Sequence, residues 1–512
     1  MAWVSAVLRA TSGIGLVALA FGLLAQFLFV DAALGINVPI ATVALLAAGW
    51  LVRDPAQPAP RLLDAWLAPG ALILSAFVAL RGDGTLVALD ILGSIALSGA
   101  TLVSFGGLRV LERPFAAIVD LGGRVALSAL VAGGRPFSAL AAALPSVRGR
   151  PATGRVAPVL RGLLIAVPLV ILFVALFSAA DAVFAQITED LFHWDLDLGS
   201  VPARLVVTAL VAWLAAGLFV FVAGGEDRPA GAGSEAVRPA RFGIGSAEAV
   251  TVLVVLDLLF IGFVVLQGTY LFGGRDTLEA SGLTYAEYAR RGFFELLAVA
   301  FLVGGLVLAA ERFVRDRSRM YVAAAIGLVV LTIVVLASAF LRLRLYQDAY
   351  GWTELRFYVL AAIIWVAVGA VMAVVTLATG RSRWLLHEMA VLSFGFGLAF
   401  NIIGPVRLIA EQNVERAIHP ELVAPGGETG LDVFYLASLG DDALNVLAER
   451  QAELPVGALG DARQILVIRA VSLEVDESGN VWQAWNLSRE RARALSPNVI
   501  VNLRQAPLAY LR

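Results

Sequence analysis

Long apolar runs separated by short polar segments dominate the chain as far as Ile403. About eleven of these runs approach the roughly 20 residues that cross a bilayer as a helix. The chain is therefore predicted to be an all-α polytopic membrane protein. The runs centre on Ile14–Val30, Ile36–Val52, Trp66–Leu80, Thr85–Phe105, Ala157–Phe177, Pro202–Val222, Ala247–Leu271, Phe293–Ala310, Met320–Leu341, Arg356–Leu377 and His387–Ile403.

Arginines concentrate in alternate loops, after the second, fourth, sixth, eighth and tenth runs. Since basic residues favour the cytoplasmic side, this places the N-terminus inside and everything after Ile403 outside. Arg9 precedes the first run and no small-residue cleavage site follows it, which favours a membrane helix over a cleaved signal peptide. We expect a multi-pass protein of the bacterial cytoplasmic (inner) membrane.

Interruptions in this pattern predict four regions. Residues 1–223 form an N-terminal membrane half of about six spans, in which paired glycines, Arg124 and Arg135 break up 108–147. That segment predicts one or two amphipathic helices on the inner leaflet. Residues 224–246 are rich in Gly, Ala, Pro and charged residues, which predicts a flexible cytoplasmic linker. Residues 247–404 are predicted to form the second membrane half, of about five spans.

Beyond the last run, residues 405–512 have shorter apolar stretches and more charge. Leu431–Gln451 predicts two short helices broken at Gly440. Gln464–Val475 and Asn480–Trp485 resemble the strands of a β-hairpin because a turn-rich segment separates them. We therefore expect a small extracytoplasmic α+β domain.

Composition narrows the function classes. The chain is 60% hydrophobic and only 15% charged, whereas soluble domains have roughly 25% charged residues. A net charge of −2 gives no electrostatic case for nucleic acid. Cysteine is absent and the three histidines stand far apart, so neither metal-ligand spacing nor a thiolate nucleophile is available. No catalytic motif was found, and we expect no cofactor.

The stretch Gly282–Leu297 predicts the point where the chain re-enters the membrane from outside. Thr284 is placed as an N-cap with Glu287 as its capping-box partner. Glu287, Arg291 and Glu295 stand four apart and would form a charged ladder on one helical face. A second Gly–apolar–Thr sequence, Gly351–Thr353, predicts the same cap at the start of another span.

Charged residues predicted near this outer face have two readings. One is mutual neutralisation through pairs four residues apart. The other is a site for an anionic lipid or a small anionic ligand, since guanidinium groups bind carboxylate and phosphate bidentately. A pair between Glu287 and Arg356 is a further hypothesis. The candidate ligand-binding set is Glu287, Arg290, Arg291, Glu295, Arg342 and Arg356.

Polar residues within the spans are few. Asp257 lies in the middle of the seventh run and is either functional or a protonated group bonded to another helix. Asp90 lies nearer an outer end and is expected to reach the interface. Asn401 is expected to join helices by hydrogen bonds. Asp441 and Asp442 follow Gly440, where the helix macrodipole explains them.

Four motifs carry a resemblance to a known family: LTYAEYARRGFFELL at Leu283–Leu297, YQDAYGWTELR at Tyr346–Arg356, LDVFYLASLGDDAL at Leu431–Leu444 and AWNLSR at Ala484–Arg489. The chain resembles the bacterial membrane-protein family known as domain of unknown function 4173, which has a sister family numbered 4153. The resemblance covers about Ala247 to Leu511. It implies a polytopic inner-membrane protein with an external C-terminal segment and assigns no catalytic residue.

Three functions stay open. The first is a membrane-embedded binding, sensing or scaffold component that lies in the lipid bilayer and has an external C-terminal domain. The second is a transporter of a small, anionic solute with Asp257 in its pathway. The third, a membrane enzyme acting on a lipid-linked substrate, is disfavoured by the missing catalytic motifs and the scarcity of histidine.

Overall fold

A computed structural model describes residues 10–111, 115–143, 201–224, 245–272, 293–314, 318–381, 384–423 and 427–494. Their regular structure is helical. The α-helices are α1 Thr11–Phe29, α2 Asn37–Val52, α3 Leu67–Val78, α4 Gly84–Phe105, α5 Phe115–Val131, α6 Gly134–Ala143, α7 Val201–Ala223, α8 Ser246–Phe272, α9 Phe293–Phe313, α10 Arg319–Tyr350, α11 Glu354–Thr379, α12 Leu385–Ile403, α13 Pro405–Ile418, α14 Val433–Ser438, α15 Asp441–Glu449, α16 Val456–Val475 and α17 Glu477–Asn480. Short 3-10 turns cover Leu62–Asp64, Pro420–Leu422, Gln451–Glu453 and Trp482–Ala484, and residues 487–494 are also helical.

Helices occupy every predicted span except Ala157–Phe177, which lies outside the described residues. In the described part, six helices are long and apolar enough to cross a membrane, and a seventh span is formed if the bent pair α12–α13, with its 47° angle, counts as one. Three further apolar stretches are shorter: Asn37–Val52 in α2, Leu62–Val78 around α3 and Glu295–Val307 within α9. The predicted count of about eleven is thus not confirmed, but a multi-pass membrane protein is. Leu258 and Leu259 on α8 are 64% and 65% exposed, as lipid-facing side chains are.

The chain divides into two compact units. In the first, α1 and α7 run antiparallel, since Asp31 after α1 pairs with Arg204 near the start of α7 at 2.5 Å. They touch at Gly22, where a Cβ atom would lie 2.6 Å from the carbonyl oxygen of Thr208. α5 and α6 occupy the predicted interfacial segment and pack on α7 and α1. The first unit comprises Met1–Ala79, Ser94–Glu235 and Ser478–Ala484.

The second unit has two apolar clusters. One joins α8 to α11 around fully buried residues such as Tyr321 and Leu328 on α10. The other joins α13 to α16 and includes Phe357 of α11. The second unit comprises Leu80–Gly93, Ala236–Glu477 and Trp485–Arg512. The predicted four-region division is a different partition and stays a prediction, and its linker falls mostly outside the described residues.

The predicted β-hairpin, and with it the α+β domain, is wrong for the described residues. Helix α16 covers Gln464–Val475, and its inner face buries Ala462, Leu466, Ala470 and Leu473 at spacings of three and four. A short run of β-branched and aliphatic residues fits a strand or a helix equally well. Periodicity alone therefore could not distinguish the two structures in this segment. The predicted break at Gly440 is confirmed, because it separates α14 from α15 with φ at +101°.

Candidate functional site

A turn at Arg81, Gly82 and Asp83 leads into α4 and positions the first buried acid. The Leu86 backbone N–H donates to Asp83 Oδ1 at 2.9 Å, so Asp83 is the N-cap of α4. The Tyr358 hydroxyl lies 3.5 Å from Asp83 Oδ2, at the long limit of a hydrogen bond. Asp83 is only 1% exposed. Its carboxylate therefore meets protein groups and almost no solvent.

Asp90 follows Asp83 by seven residues, which places both on the same face of α4, about 10 Å apart along the axis. The side-chain amide of Asn401 donates to both carboxylate oxygens of Asp90, at 2.8 and 3.0 Å. Arg81 in turn donates to the backbone carbonyl oxygen of Asn401. Asn401 thus joins helices as predicted. Asp90 is 2% exposed, so the expectation that it reaches the interface is wrong.

The C-terminal helices hold the backbone of the same turn. The Gly82 N–H donates to Asp442 Oδ2 at 3.0 Å, and the Ser488 hydroxyl donates to Asp442 Oδ1 at 2.6 Å. The Asn486 amide donates to the carbonyl oxygen of Arg81 at 2.9 Å. The Gly82 N–H and the Arg81 carbonyl oxygen are therefore each paired with a side chain from the C-terminal helices or from the segment between them. We call Asp83, Asp90, Arg81, Tyr358 and Asn401 the acid site.

Glycine is required where these segments touch. A Cβ atom on Gly82 would lie 2.6 Å from Ser488 Oγ, and one on Gly440 would lie 2.7 Å from the carbonyl oxygen of Gly82. Next to this contact, Asp441 pairs bidentately with Arg469 of α16 at 2.7 and 2.9 Å. The helix macrodipole alone is therefore an incomplete explanation of the acidic pair at Asp441.

Burial governs the electrostatics of Asp83. Desolvation raises its pKa from 3.8 to about 6, although the hydrogen bond from the Leu86 N–H lowers it. The negative charges of Glu354 and Asp442 raise it further. The Tyr435 hydroxyl, which accepts from the Glu354 N–H at 2.7 Å, also has a raised pKa because it is buried. Asp83 can therefore gain or lose a proton within the physiological pH range.

Within the described ranges, no three side chains of His, Asp or Glu come together in a group that could hold a metal ion. The acid site consists instead of two carboxylates, an amide, a phenol and a guanidinium. The two carboxylates are the members of this set that can take up a proton.

Comparison with known families gives a match over most of the chain. The family model described as domain of unknown function (DUF4153) matches residues 40–450. The chain belongs to the DUF4153 family. This is the family that the resemblance named as a sister, so the expected number 4173 is corrected to 4153. No curated protein and no solved structure matches the chain.

The DUF4153 match includes every member of the acid site. It also includes Asp442 but ends before Asn486 and Ser488. The contacts from these two residues to Arg81 and Asp442 therefore come from outside the part of the chain that the family model matches. The family itself assigns no activity.

In this DUF4153 chain, Arg356 of the predicted anion-binding set serves the connection between α10 and α11. Its guanidinium donates to the carbonyl oxygens of Tyr350 and Gly351 at 3.0 and 2.7 Å, and lies 4.2 Å from the centre of the Tyr346 ring. The predicted cap is confirmed, since Thr353 accepts from the Arg356 N–H. These contacts favour the structural reading of Arg356.

Other residues hold the same connection. The Arg416 guanidinium donates to the carbonyl oxygens of Asp348, Ala349 and Glu428. Asn413 exchanges two hydrogen bonds with the backbone of Trp352, at 2.9 and 2.7 Å. The YQDAYGWTELR motif thus forms a connection whose backbone is held by side chains of α13.

The remaining predicted residues lie on separate elements. Glu295 is exposed in the first turn of α9, and Arg342 is half-buried near the end of α10. Asp257 of α8 faces Gly327 of α10, whose added Cβ atom would lie 3.4 Å from Asp257 Oδ2. Glu287, Arg290 and Arg291 lie outside the described residues, so the predicted set stays a prediction.

Sequence reasoning missed Arg81, Asp83 and Tyr358. The available signal was the Arg–Gly–Asp turn, in which Asp83 stands three residues before Leu86 at a helix start, as an N-cap does. A cap is normally exposed, and nothing local indicates that this one is buried by residues more than 250 positions later.

Proposed function

We propose that this DUF4153 protein is a membrane-embedded sensing component. In this proposal, proton uptake by the acid site is linked to the packing of the C-terminal helices on the turn before α4. The observation that carries the proposal is the position of Asp83. Its carboxylate is buried, its pKa is about 6, and its own turn is the one that Asp442 and Asn486 hold.

The link is electrostatic and steric. Ionised Asp83 stands near the negative charges of Glu354 and Asp442, and protonation removes one member of this repulsion. Because Asp442 also accepts from Gly82, a change in its position is transmitted to the turn. Asp90, Asn401 and Arg81 form a second connection from α4 to the same turn.

Arginine placement supports the location. We propose the bacterial cytoplasmic membrane, with the N-terminus inside and the C-terminal helices outside, where the acid site would respond to external pH. The proposed partners are the lipid bilayer and an anionic lipid or small anionic ligand at the outer face. Fusing alkaline phosphatase after residue 512 tests the orientation: high activity supports an external C-terminus, and its absence contradicts it.

The sensing role is tested by hydrogen exchange on the full-length protein in proteoliposomes. After correction for the intrinsic rate, exchange in 433–494 should differ between pH 5 and pH 8 in the wild type. Asp83→Asn, which keeps an N-capping oxygen, should abolish most of that difference, and Asp90→Asn should reduce it.

Asp461→Asn is the matched control, since Asp461 is an exposed acid on α16. It should respond to pH as the wild type does. If Asp83→Asn also kept the full response, the sensing role would be excluded.

A transporter is the second candidate, favoured by one observation. Asp257 Oδ1 is buried and has no hydrogen-bond partner within the described ranges. A carboxylate in this position is unstable unless it is protonated or wetted, as in a conduction pathway. Asp257→Asn should abolish proton-driven uptake in proteoliposomes if Asp257 couples transport. Uptake at the wild-type rate would remove Asp257 from the pathway.

The anionic-ligand hypothesis has its own test. Replacing Arg290, Arg291 and Arg356 with Gln should weaken binding of vesicles that contain phosphatidylglycerol or of inorganic phosphate. Arg344→Gln is the control, because Arg344 lies beside Trp352 and is not in the predicted set. Equal binding by both proteins would contradict the hypothesis. The membrane-enzyme alternative gains no supporting contact in the described part of the chain.

A further inference from the structure

Helices α5 and α6 are separated by a two-residue break, Ala132 and Gly133, which lies against the middle of α7. At the end of α5, the Ser128 hydroxyl donates to the carbonyl oxygen of Gly217 at 3.0 Å. At the break, the Trp213 indole N–H donates to the carbonyl oxygen of Leu130 at 2.9 Å. A Cβ atom on Gly133 would lie 2.4 Å from the carbonyl oxygen of Trp213. The break is therefore in close contact with the Trp213 backbone.

The depth of this contact follows from the length of α7. Its 23 residues span about 35 Å, slightly more than the roughly 30 Å core of a bilayer. Trp213 is close to the midpoint of α7, so the break lies near the bilayer centre. Earlier in α5, Leu121 packs in one cluster with Phe221, close to the end of α7. Helix α5 thus descends from one end of α7 to its middle.

Helix α6 then returns toward the same end. Its Pro136 backbone lies at Gly15 of α1, where a Cβ atom would come within 2.8 Å of the Pro136 carbonyl oxygen. α1 is antiparallel to α7, and Gly22 lies opposite Thr208 and Ala212. Gly15 is seven residues nearer the end at which α5 entered. The first turn of α6 therefore heads back toward the side from which α5 entered.

Backbone groups at the break are satisfied by protein. The Ala132 N–H donates to the Ser128 carbonyl oxygen, and the Leu130 carbonyl oxygen accepts from Trp213. Within a bilayer, non-helical backbone is tolerated only when neighbouring groups satisfy it in this way. Helices lying flat on the surface would have water available and would not need a partner from the middle of α7.

The outward face of α5 is apolar toward the break. Leu127 and Val131 are each 61% exposed. These two large aliphatic side chains therefore face the surroundings of the protein at the depth of the break. The charges of Asp120 and Arg124 stand nearer the entry end and pair at 2.8 Å. Arg135 is exposed just past the break, and a long arginine side chain can snorkel toward the headgroups.

We propose that residues 115–143 form a re-entrant helical hairpin, whose exposed side chains Leu127 and Val131 contact lipid acyl chains near the bilayer centre. This differs from the interfacial position predicted for 108–147 from the sequence. It also stands independently of the sensing proposal, because no residue of the acid site takes part.

The absence of cysteine makes depth measurable with single substitutions. Gly123, Leu127 and Val131 are spaced by four along one exposed face of α5, and an added Cβ atom on Gly123 meets nothing within 4 Å. Each is changed to Cys and spin-labelled, and the protein is reconstituted. The collision rate of each spin label with oxygen is then compared with its collision rate with a water-soluble nickel chelate. The ratio of the two rates gives the depth of the label in the bilayer. Val255, Leu259 and Phe263 on α8 calibrate the scale.

Depth should increase from position 123 to position 131 by about 12 Å, the rise of eight helical residues. Equal depth at all three positions would mean a helix lying on the surface and would overturn the proposal. Accessibility to nickel at all three would overturn it as well. In the unmodified chain, acyl chains carrying a terminal diazirine should crosslink to 127–131, and exclusive labelling near 117–123 would contradict the hairpin independently of any cysteine variant.

Discussion

The Asn486 side-chain amide donates a 2.9 Å hydrogen bond to the carbonyl oxygen of Arg81, 405 residues earlier in the chain. A second such bond joins the Gly82 N–H to Asp442, 360 residues later. Two motifs near the C-terminus, around Asp442 and Asn486, thus meet at one turn before α4. Their common role is to fix the helix that carries Asp83 and Asp90.

Gly82→Ala should lower stability clearly, because the new Cβ atom would lie 2.6 Å from Ser488 Oγ and 3.1 Å from Ser488 Cβ. The matched control is Gly84→Ala, two residues later, where a Cβ atom meets nothing within 4 Å. We expect a melting temperature several degrees lower for Gly82→Ala and a nearly unchanged one for Gly84→Ala. Equal melting temperatures would contradict the close contact.

Asp442→Ala should destabilise the protein by about 1–3 kcal/mol, since it leaves the Gly82 N–H and the Ser488 hydroxyl without their acceptor. Ser488→Ala should cost less. In a double-mutant cycle measured by denaturant unfolding in detergent, the two changes should couple by at least about 0.5 kcal/mol. Strict additivity would show that the 2.6 Å contact contributes nothing, and Asp461→Ala serves as an exposed control.

Asp83→Asn should flatten the dependence of stability on pH. The folded pKa of about 6 lies above the ordinary value of 3.8, so the native state binds more protons between these values. The contribution of Asp83 to the free energy of unfolding therefore falls as pH rises from about 4 to about 6 and is lowest above that range. At pH 8 the variant should be more stable than the wild type, by at most roughly 3 kcal/mol. Thermal unfolding across pH 4–8 measures this, and a wild-type slope in the variant would refute it.

Gly351→Ala should be more damaging than Gly380→Ala, although both glycines have positive φ, +80° and +68°. At Gly380 a Cβ atom meets nothing within 4 Å, so the backbone term of about 1–2 kcal/mol acts alone. At Gly351 the Cβ atom would also lie 2.8 Å from Asn413 Oδ1. Gly351 also has a ψ of −175°, outside the left-handed helical region in which Gly380 lies with ψ at 20°, so its backbone term is larger as well. The two melting temperatures compare the contact and this backbone difference together, and a larger loss at Gly380 would contradict both.

Local signals in the sequence transferred well to the structure. The cap at Thr353 and the break at Gly440 depend on neighbours within a few residues, and both are confirmed. The apolar runs were identified as helices because their length and composition suffice for that. Run length was less informative about spanning, since α2 and α3 are short and α13 continues α12 at an angle.

Long-range pairing could not be predicted in the same way. Asp90 and Asn401 are each ordinary isolated polar residues in apolar runs, and no periodicity connects positions 311 residues apart. Asp442 looked sufficiently explained by its helix start, which hid its bond to Gly82. The hairpin error at α16 has the same origin, because burial against α13–α15 decided between two structures that the local pattern allowed.

The separation of Asp90 from Asn401 has a consequence for biosynthesis. At about 5–20 residues per second, the ribosome needs roughly 15 to 60 s after making Asp90 before Asn401 is made. During this interval α4 must enter the membrane with its acid unpaired by its final donor. The nascent chain therefore passes through a stage in which α4 has been made and its hydrogen-bond donor on α12 has not. Translation that stops before residue 401 leaves Asp90 without the Asn401 amide.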